Sequence, residues 1–253
     1  MSKVKKIILI SLSILLGFCL WLTVCGLIFV KGCQSAAGER PIHRAAFKGD
    51  IEKVRKIIEK NPNQVNVQDF SNKTPLYYSS AAGHVEVVKF LLAHGANIEL
   101  GNDHGERPLA KAAKFKHYDV AKILLEHGAK VNCKDDSGYT PLHEASLQSG
   151  KDMVNLLLEY GADVSARNEY AYTPLHQAAT MDNIEAAKAL IGHGADVFAK
   201  TSFDPNKKYE QWELDLWKDT MNKTPQEIAV ARGFKELAEY LQVKENEKIS
   251  ATK

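Results

Sequence analysis

The chain has 253 residues, which is enough for one or two ordinary domains or for one elongated array of repeats. Hydrophobic residues make up 45% and charged residues 25%, the proportions of a folded protein, which exclude a disordered or collagen-like chain. The 33 basic and 31 acidic residues leave a net charge of +2, so no strong charge favours nucleic acid as a partner. Four cysteines are too few for a disulfide framework.

An uncharged segment of 24 residues runs from Ile7 to Val30, after a basic tail at 1–6. As a helix it would be about 36 Å long, against roughly 30 Å of bilayer hydrocarbon. It is also longer than the apolar region of a cleaved signal peptide, which has about 7–15 residues. We therefore predict one transmembrane signal-anchor helix at 7–30 and a linker at 31–36. Lipidation at Cys33 is the weaker alternative, because Lys31 stands where such sites carry a small or apolar residue.

The charges on either side of this segment give only a slight orientation bias. Three lysines precede it, at Lys3, Lys5 and Lys6, and four basic residues follow it within about 20 residues. Folded domains cross membranes largely regardless of charge, and the short tail is typical of a signal anchor. We expect the N-terminus in the cytoplasm and the rest of the chain on the non-cytoplasmic side, which is the periplasm in a bacterium.

Prolines recur along the remainder of the chain at a nearly constant interval. Their spacings are 34, 33, 33, 33 and 51 residues, the last being 33 plus 18. The prolines are Pro41, Pro75, Pro108, Pro141, Pro174 and Pro225. A glycine followed by alanine stands 20 residues after each internal proline, at Gly95, Gly128, Gly161 and Gly194. A period maintained over five intervals predicts a repeat architecture.

The repeated letters have physical roles at helix ends. Proline suits the first turn of a helix, where its missing N–H would be unpaired anyway. The threonines before it can cap that helix with their hydroxyls, at Thr74, Thr140, Thr173 and Thr224. Glycine suits a left-handed residue that ends the second helix, and Asn61 replaces it in the first repeat. The pattern therefore predicts two helices and a loop in each repeat.

This register resembles the ankyrin repeat over about residues 37–243. The resemblance implies an all-α repeat solenoid of helix–turn–helix units with projecting loops, preceded here by one transmembrane helix. No unit can bury a core alone, so the units must stack. The predicted repeats span 37–68, 69–101, 102–134, 135–167, 168–200 and 201–243, the last with an insertion at about 201–218. Residues 244–253 form a polar tail that we expect to be frayed.

Nine histidines raise the question of a metal or catalytic site. Six stand at two repeated positions, His43, His143 and His176 after the proline and His94, His127 and His193 before Gly-Ala. The resemblance implies that these six are structural and tie neighbouring loops, whereas His84, His104 and His117 stand alone. The His143-Glu144 pair lacks the second histidine of a zinc-protease motif, and no nucleophile elbow or phosphate-binding loop occurs. We predict no catalytic residue, metal site, cofactor or enzyme activity.

Residues that differ between repeats should recognise a partner, because the repeated ones hold the scaffold. We expect them on the concave side, at loop tips and on the solvent-facing side of the first helices. The tip residues are Phe70, His104, Tyr139, Tyr170 and Tyr172. The helix residues are Arg44, Tyr78, Lys111, Glu144 and Gln177, with Phe115 and Met181 nearby. Tyrosine and arginine are enriched in protein interfaces, although single aromatics can simply pack between adjacent loops.

The insertion before the last repeat is the least regular segment. Tyr209, Trp212 and Leu216 are spaced as one face of a short helix, and long insertions in solenoids usually lie on the binding face. Tyr209, Trp212 and Trp217 are therefore candidate partner contacts. The alternative is that Trp212 and Trp217 fold back over the concave helices and shield the end of the stack.

These patterns predict a membrane-anchored, non-catalytic ankyrin-repeat module that binds a protein partner through its concave surface and loop tips. We expect neither nucleic acid nor a small-molecule substrate. The alternative is an accessory or protective subunit in a stable complex with a membrane or periplasmic enzyme. That role would require a large exposed apolar patch.

Overall fold

A computed structural model describes residues 40–148, 150–202, 220 and 222–251. The predicted transmembrane segment at 7–30 and most of the insertion, including Tyr209, Trp212 and Trp217, lie outside these residues. Within the described ranges, no helix has the length and apolar character needed to cross a bilayer.

The described residues form six pairs of short antiparallel helices. The first helices are α1 Pro41–Lys48, α3 Pro75–Ala82, α5 Pro108–Lys114, α7 Pro141–Gln148, α9 Pro174–Thr180 and α11 Pro225–Arg232. The second helices are α2 Ile51–Lys60, α4 Val85–Ala93, α6 Tyr118–Glu126, α8 Lys151–Glu159, α10 Ile184–Gly192 and α12 Lys235–Ala251. A short 3-10 helix, Pro62–Gln64, follows α2. Every first helix begins at one of the periodic prolines, as predicted.

The predicted helix ends are found where the threonine and glycine stand. Thr74, Thr173 and Thr224 accept a hydrogen bond from the backbone N–H three residues later. The periodic glycines after α4, α6, α8 and α10 all have a φ between 83° and 89°. The expectation for Asn61 is wrong, because its φ is −149° and its side chain instead accepts a hydrogen bond from the N–H of Asn63.

The core runs along the whole stack, with each helix contributing to it. First helices pack on the first helices of adjacent repeats, and second helices pack on second helices. Each of the twelve helices supplies one large, fully buried side chain: Ile42, Ile58, Leu76, Leu91, Leu109, Leu124, Leu142, Leu157, Leu175, Leu190, Ile228 and Leu237. Helices of seven to ten residues are too short to be stable alone in water, so this packing supplies most of their stability.

The end of the chain differs from the expected frayed tail, because α12 continues to Ala251. Lys244 pairs with Glu247 at 2.7 Å along the helix surface. Lys248 lies 3.3 Å from Asp196 and stands over the ring of Phe198, both in the preceding repeat. These contacts continue the helix past the point where its apolar pattern ends.

The loops share one hydrogen-bonded turn, which we call the loop base. Its first residue is Asp69, Asn102, Asp135 or Asn168, at intervals of 33. In each, the side-chain oxygen accepts from the backbone N–H groups two and four residues later. The third residue after the base has a positive φ in all four loops, and it is Asn72, Gly105, Gly138 or Ala171.

Ala171 is the one member of this set whose side chain gains nothing from the left-handed conformation, with a φ of 54°. We expect Ala171→Gly to raise the free energy of unfolding by about 1 kcal/mol, because the strain of its Cβ is removed. Gly138→Ala, at the equivalent place, should lower it, since the new Cβ would lie 3.0 Å from Cα of Asn168. Urea unfolding followed by circular dichroism measures both changes. Equal effects of the two substitutions would contradict this assignment.

Candidate functional site

Neighbouring loop tips are joined directly through their backbones. The N–H of Asp103 donates to the carbonyl of Ser71, and that of Asp136 to the carbonyl of His104, both at 3.0 Å. The same bond recurs from Glu169 to Ser137 and from Ser202 to Tyr170. We call the residues one and two places after each loop base the tip ridge: Phe70, Ser71, Asp103, His104, Asp136, Ser137, Glu169, Tyr170 and Ser202. Its backbone is fixed before any partner arrives.

Phe70 is the most exposed large apolar residue of the described chain, with 85% of its surface open to solvent. The adjacent Asp69 is held on three sides. Its Oδ1 accepts from the N–H groups of Ser71 and Lys73 at 2.9 Å, and its Oδ2 accepts from the hydroxyl of Tyr78 at 2.6 Å. Phe70 is therefore an exposed aromatic side chain on an ordered turn.

The five predicted tip residues occupy two different registers of the loop. Phe70, His104 and Tyr170 belong to the tip ridge, where Phe70 and His104 are exposed and Tyr170 is half-buried. Tyr139 and Tyr172 are four residues after the base, and their rings pack on His143 and His176 at centroid distances of 5.7 and 5.5 Å. Tyr172 is only 3% exposed. For these two tyrosines, the alternative of packing within the scaffold describes the structure better than an exposed stripe.

The expectation that the first-helix residues face solvent is wrong for four of the five. Arg44 is exposed, whereas Tyr78, Lys111, Glu144 and Gln177 are buried. Adjacent first helices pack side by side, so a residue three places after the proline points toward a neighbouring repeat. Phe115 and Met181 cap the ends of α5 and α9; Phe115 is exposed and Met181 is half-buried.

A polar cluster lies where the second, third and fourth repeats contact one another. Glu106 accepts from Asn102 at 2.7 Å and from the hydroxyl of Tyr77 at 3.3 Å through Oε2, and it forms an ion pair with Lys111 through Oε1. Lys111 also stands over the Tyr77 ring, 5.7 Å from its centroid. The cluster links three repeats, because Tyr77 of the second repeat bonds Glu106 of the third. Lys114, also in the third repeat, pairs with Glu144 of the fourth at 3.3 Å.

Burial and the neighbouring lysines have opposite effects on the pKa of each of two carboxyl groups, those of Glu106 and Glu144. Burial alone would raise the pKa of Glu106, but the charge and hydrogen bond of Lys111 bring that pKa below its usual range. Burial raises the pKa of Glu144, and Lys114 only partly offsets this. Its Oε2 atom is buried and has no hydrogen-bond partner. Glu106 is thus a charged group of the scaffold, whereas the carboxylate of Glu144 is stabilised by fewer interactions.

The histidines after the proline are structural, as the resemblance implies. His143 donates from Nε2 to the carbonyl of Tyr172 at 3.0 Å, and its Nδ1 accepts from the N–H of Thr140 at 3.2 Å. His176 makes the matching contacts with Lys223 and Thr173. Burial lowers the pKa of both histidines to about 4. Only the neutral ring can donate from Nε2 and accept at Nδ1 at the same time.

The other predicted histidine roles are partly wrong. His94 and His127 bind the carbonyl four residues earlier in their own helices, so they do not tie neighbouring loops. His84 and His117, which the sequence analysis left without a role, reach the carbonyls of Phe47 and Ala81 in the preceding repeats, at 2.9 and 3.1 Å. Asn183 makes the same link. Positions 84, 117 and 183 share the repeat register. This register is the sequence signal that could have predicted the inter-repeat bonds of His84 and His117.

No group of three metal-ligating side chains occurs among the described residues. Cys133 is a buried free thiol, and burial raises its pKa, which makes it a poor nucleophile. The base of the enlarged loop is ordinary: Thr201 donates its N–H to the carbonyl of Lys223 and accepts the N–H of Lys223 on its hydroxyl, both at 3.1 Å. Thr201 and Lys223 therefore share the backbone bond that Asn168 and Tyr172 form in the preceding loop.

Comparison with known proteins agrees with this geometry. The family profile described as "Ankyrin repeats (3 copies)" matches residues 42–135 and 130–201, which is more than half of the chain. The chain belongs to the ankyrin-repeat family. Ankyrin repeats are protein-interaction modules, and all the features above, from the loop bases to the neutral histidines, are those of a scaffold that presents a surface.

Relatives with known names share only a part of this ankyrin array. The chain is 40% identical over 82 residues to a probable E3 ubiquitin-protein ligase of Oryza sativa subsp. japonica, covering 32% of this chain and 16% of the ligase. It is 33% identical over 75 residues to ankyrin repeat domain-containing protein 13C of Danio rerio, covering 30% and 15%. It is 37% identical over 67 residues to a serine/threonine-protein kinase of Arabidopsis thaliana, covering 26% and 15%. The chain thus spans only about a sixth of these relatives.

Acidification should destabilise the array through His143 and His176. Their pKa is about 4 in the folded state and near the ordinary histidine value of 6.5 when unfolded, so between these values the unfolded chain binds more protons. Their contribution is complete above pH 6.5 and is lost as the pH falls to 4. Urea unfolding from pH 7 to 4 should show a flatter pH dependence for His143→Gln/His176→Gln than for the wild type. His104→Gln is the exposed control, and equal slopes for all three proteins would refute the effect.

Breaking the buried ion pair should be costly. Lys111→Met leaves Glu106 without its cation, and we expect a loss of about 3 kcal/mol in the free energy of unfolding. Adding Glu106→Gln should recover more than half of that loss, because the amide carries no buried charge. Lys89→Met is the matched control, since Lys89 and Glu86 form an exposed pair and their separation should change stability by less than about 1 kcal/mol. A similar loss in Lys111→Met and Lys89→Met, measured by urea unfolding, would be inconsistent with this role.

Proposed function

We propose that this ankyrin array is a membrane-anchored, non-catalytic module that recognises a protein partner with its tip ridge and with the exposed residues of its first helices. Three features support the proposal: the family's role in protein interaction, the hydrogen-bonded tips and the exposed aromatic residue at one end of the ridge. A preformed surface loses little conformational entropy on binding, which favours affinity from a few contacts.

Phe70 is the observation that carries the proposal. An aromatic side chain that is 85% exposed gains more from burial in a partner's pocket than any other large apolar residue of the described chain. Beside it, the equivalent positions of the next repeats carry Asp103, Asp136 and Glu169. The partner surface that fits this ridge has an apolar pocket flanked by basic groups.

Membrane anchoring through residues 7–30 remains part of the proposal and rests on the sequence alone. The 24-residue uncharged length of that segment supports it, and we retain the expectation that the repeats lie on the non-cytoplasmic side. The ligase and kinase named among the relatives match only within the repeats, so neither activity is proposed for this chain.

Transient recognition fits the described surface better than a permanent complex with an enzyme. The large exposed apolar residues are distributed over loops and helices of the second to sixth repeats: Phe70, Phe115, Tyr118, Tyr160, Phe198, Val230, Val243 and Ile249, of which only the last two share a helix. A permanent interface would require a large contiguous apolar area. Scattered residues, with one prominent aromatic on the ridge, are suited to an adaptor.

A photo-crosslinking phenylalanine analogue tests this function directly in the full chain in its native membrane. Placed at position 70, it should yield an adduct with one partner protein, whereas placed at position 160, where Tyr160 ends α8 away from the ridge, it should not. Phe70→Ala should weaken binding of that partner by at least about tenfold, because exposed aromatic hot spots have effects of this size. Its melting temperature should not change.

Tyr160→Ala is the matched control, since it removes a 40% exposed aromatic residue from the other end of a repeat. Adducts of the same proteins from positions 70 and 160 would show that contact is not specific to the ridge. Equal binding by the wild type and both alanine variants would reject Phe70 as the anchor.

A further inference from the structure

The open end of the first repeat has an unusual surface. A shallow depression of about 590 Å³ lies on α2 and the turn after it, lined by Lys53, Lys56, Ile57, Lys60, Asn61 and Gln64. Lys53, Ile57 and Lys60 follow one another at intervals of four and three residues, so they form one stripe of the helix, with Lys56 beside it. All three lysines are exposed and Ile57 is half-buried.

This stripe faces the side on which a preceding repeat would stack. The guanidinium of Arg55 lies over the ring of Phe90 in the next repeat, 4.9 Å from its centroid, so Phe90 is directed at the repeat before it. Lys56 occupies the place of Phe90 in the first repeat. Lys53 likewise occupies the place of three buried residues, Val87, Val120 and Met153. Lysines thus stand where later repeats bury apolar side chains.

Solubility of a terminal repeat explains why these positions are polar but not why they are all cationic. Helix α12 at the opposite end exposes Lys235, Glu236 and Glu239, and α2 itself exposes Glu52 and Glu59, but neither of these two acids lines the depression. Among the residues that the structure describes, no acid lies within ion-pair distance of Lys53, Lys56 or Lys60. Lysines on later second helices do have such partners, for example Lys89 with Glu86 and Lys188 with Glu185.

The position of this face in the chain indicates what it meets. The uncharged segment ends at Val30 and the first repeat begins at Arg40. Ten residues reach at most about 36 Å when fully extended, so a membrane-inserted segment keeps the first repeat close to the bilayer. Lysines near an anionic lipid surface are attracted to it, and an apolar residue between them can contact the interface.

We propose that the face formed by Lys53, Lys56, Ile57 and Lys60 docks on the anionic phospholipid headgroups of the bilayer that holds the chain. Docking sets the array's first repeat against the membrane and leaves the tip ridge of later repeats free for the protein partner. This inference rests on the membrane anchor proposed above.

The test uses the full chain in nanodiscs of phosphatidylcholine alone and in discs that also contain phosphatidylglycerol. Lysine acetylation is followed residue by residue with mass spectrometry. Lys53, Lys56 and Lys60 should react about fivefold more slowly in the anionic discs, the factor expected from lipid attraction per lysine, and added salt should abolish the difference. Lys89, Lys122 and Lys188 are exposed on later second helices and should react equally in both.

A variant pair provides a second measurement. Amide exchange in α2 should slow in anionic discs for the wild type and for Lys89→Gln/Lys122→Gln/Lys188→Gln. In Lys53→Gln/Lys56→Gln/Lys60→Gln it should be the same in both discs. Equal lysine reactivity in the two discs overturns the docking, as does equal protection by inorganic phosphate in phosphatidylcholine discs, which would indicate a site for a free anion.

Disc association separates this inference from the anchor. A chain that co-elutes with both discs, but whose lysines react alike, keeps the anchor and rejects the docking. A chain that co-elutes only with anionic discs, and is released by salt, rejects the anchor and supports docking by the basic face. A chain that co-elutes with neither rejects both.

Discussion

The burial of one large side chain from every helix, at positions that only a neighbouring repeat can complete, determines the rest of this structure. A repeat such as the third contains only two helices of seven to ten residues. Its own residues are too few to shield Leu109 and Leu124 from water. The energy of folding therefore lies mainly between repeats. The hydrogen bonds of the histidines and of the loop tips cross the same boundaries, which keeps backbone polar groups paired while the apolar faces meet.

The same constraint separates the residues that hold the array from those that can recognise a partner. A side chain that points toward the next repeat becomes part of the scaffold even when it is polar, as Glu106 and Lys111 show. Replacing them with apolar residues could leave the array as stable, because buried ion pairs seldom add net stability. Their specific contacts with Tyr77 and Asn102 instead fix how the second and third repeats align. The tips are under less constraint, since neighbouring tips are joined through their backbones.

Much of the fold could be predicted because the period reports helix ends, and helix ends have few chemical solutions. Thr74 and Pro75 predicted the start of α3, and Gly95 predicted the end of α4. Exposure within the period was harder to predict, because Tyr78 and Arg44 share a register, while among the described residues only Tyr78 has a preceding repeat beside it. Tyr139 and Phe70 are both close to a loop tip, yet three residues of register decide that one packs on His143 and the other faces water.

At some positions of the repeat the other units have an apolar or paired residue, but one unit has a different type. At such a position either no described repeat lies alongside or the residue makes a different contact. The first repeat has lysines in place of Val87 and Phe90, no described residue stacks before it, and its depression is lined by three lysines and no acid. At the other end of the described residues, α12 is about two turns longer than the other second helices and holds Lys248 against Asp196. At the enlarged loop, Thr201 and Lys223 are joined by two hydrogen bonds on either side of the additional residues. In an ankyrin array the ends and the loop tips are the places where sequence can change at little cost to folding, which is why the proposed contacts with the partner and the membrane are assigned to them.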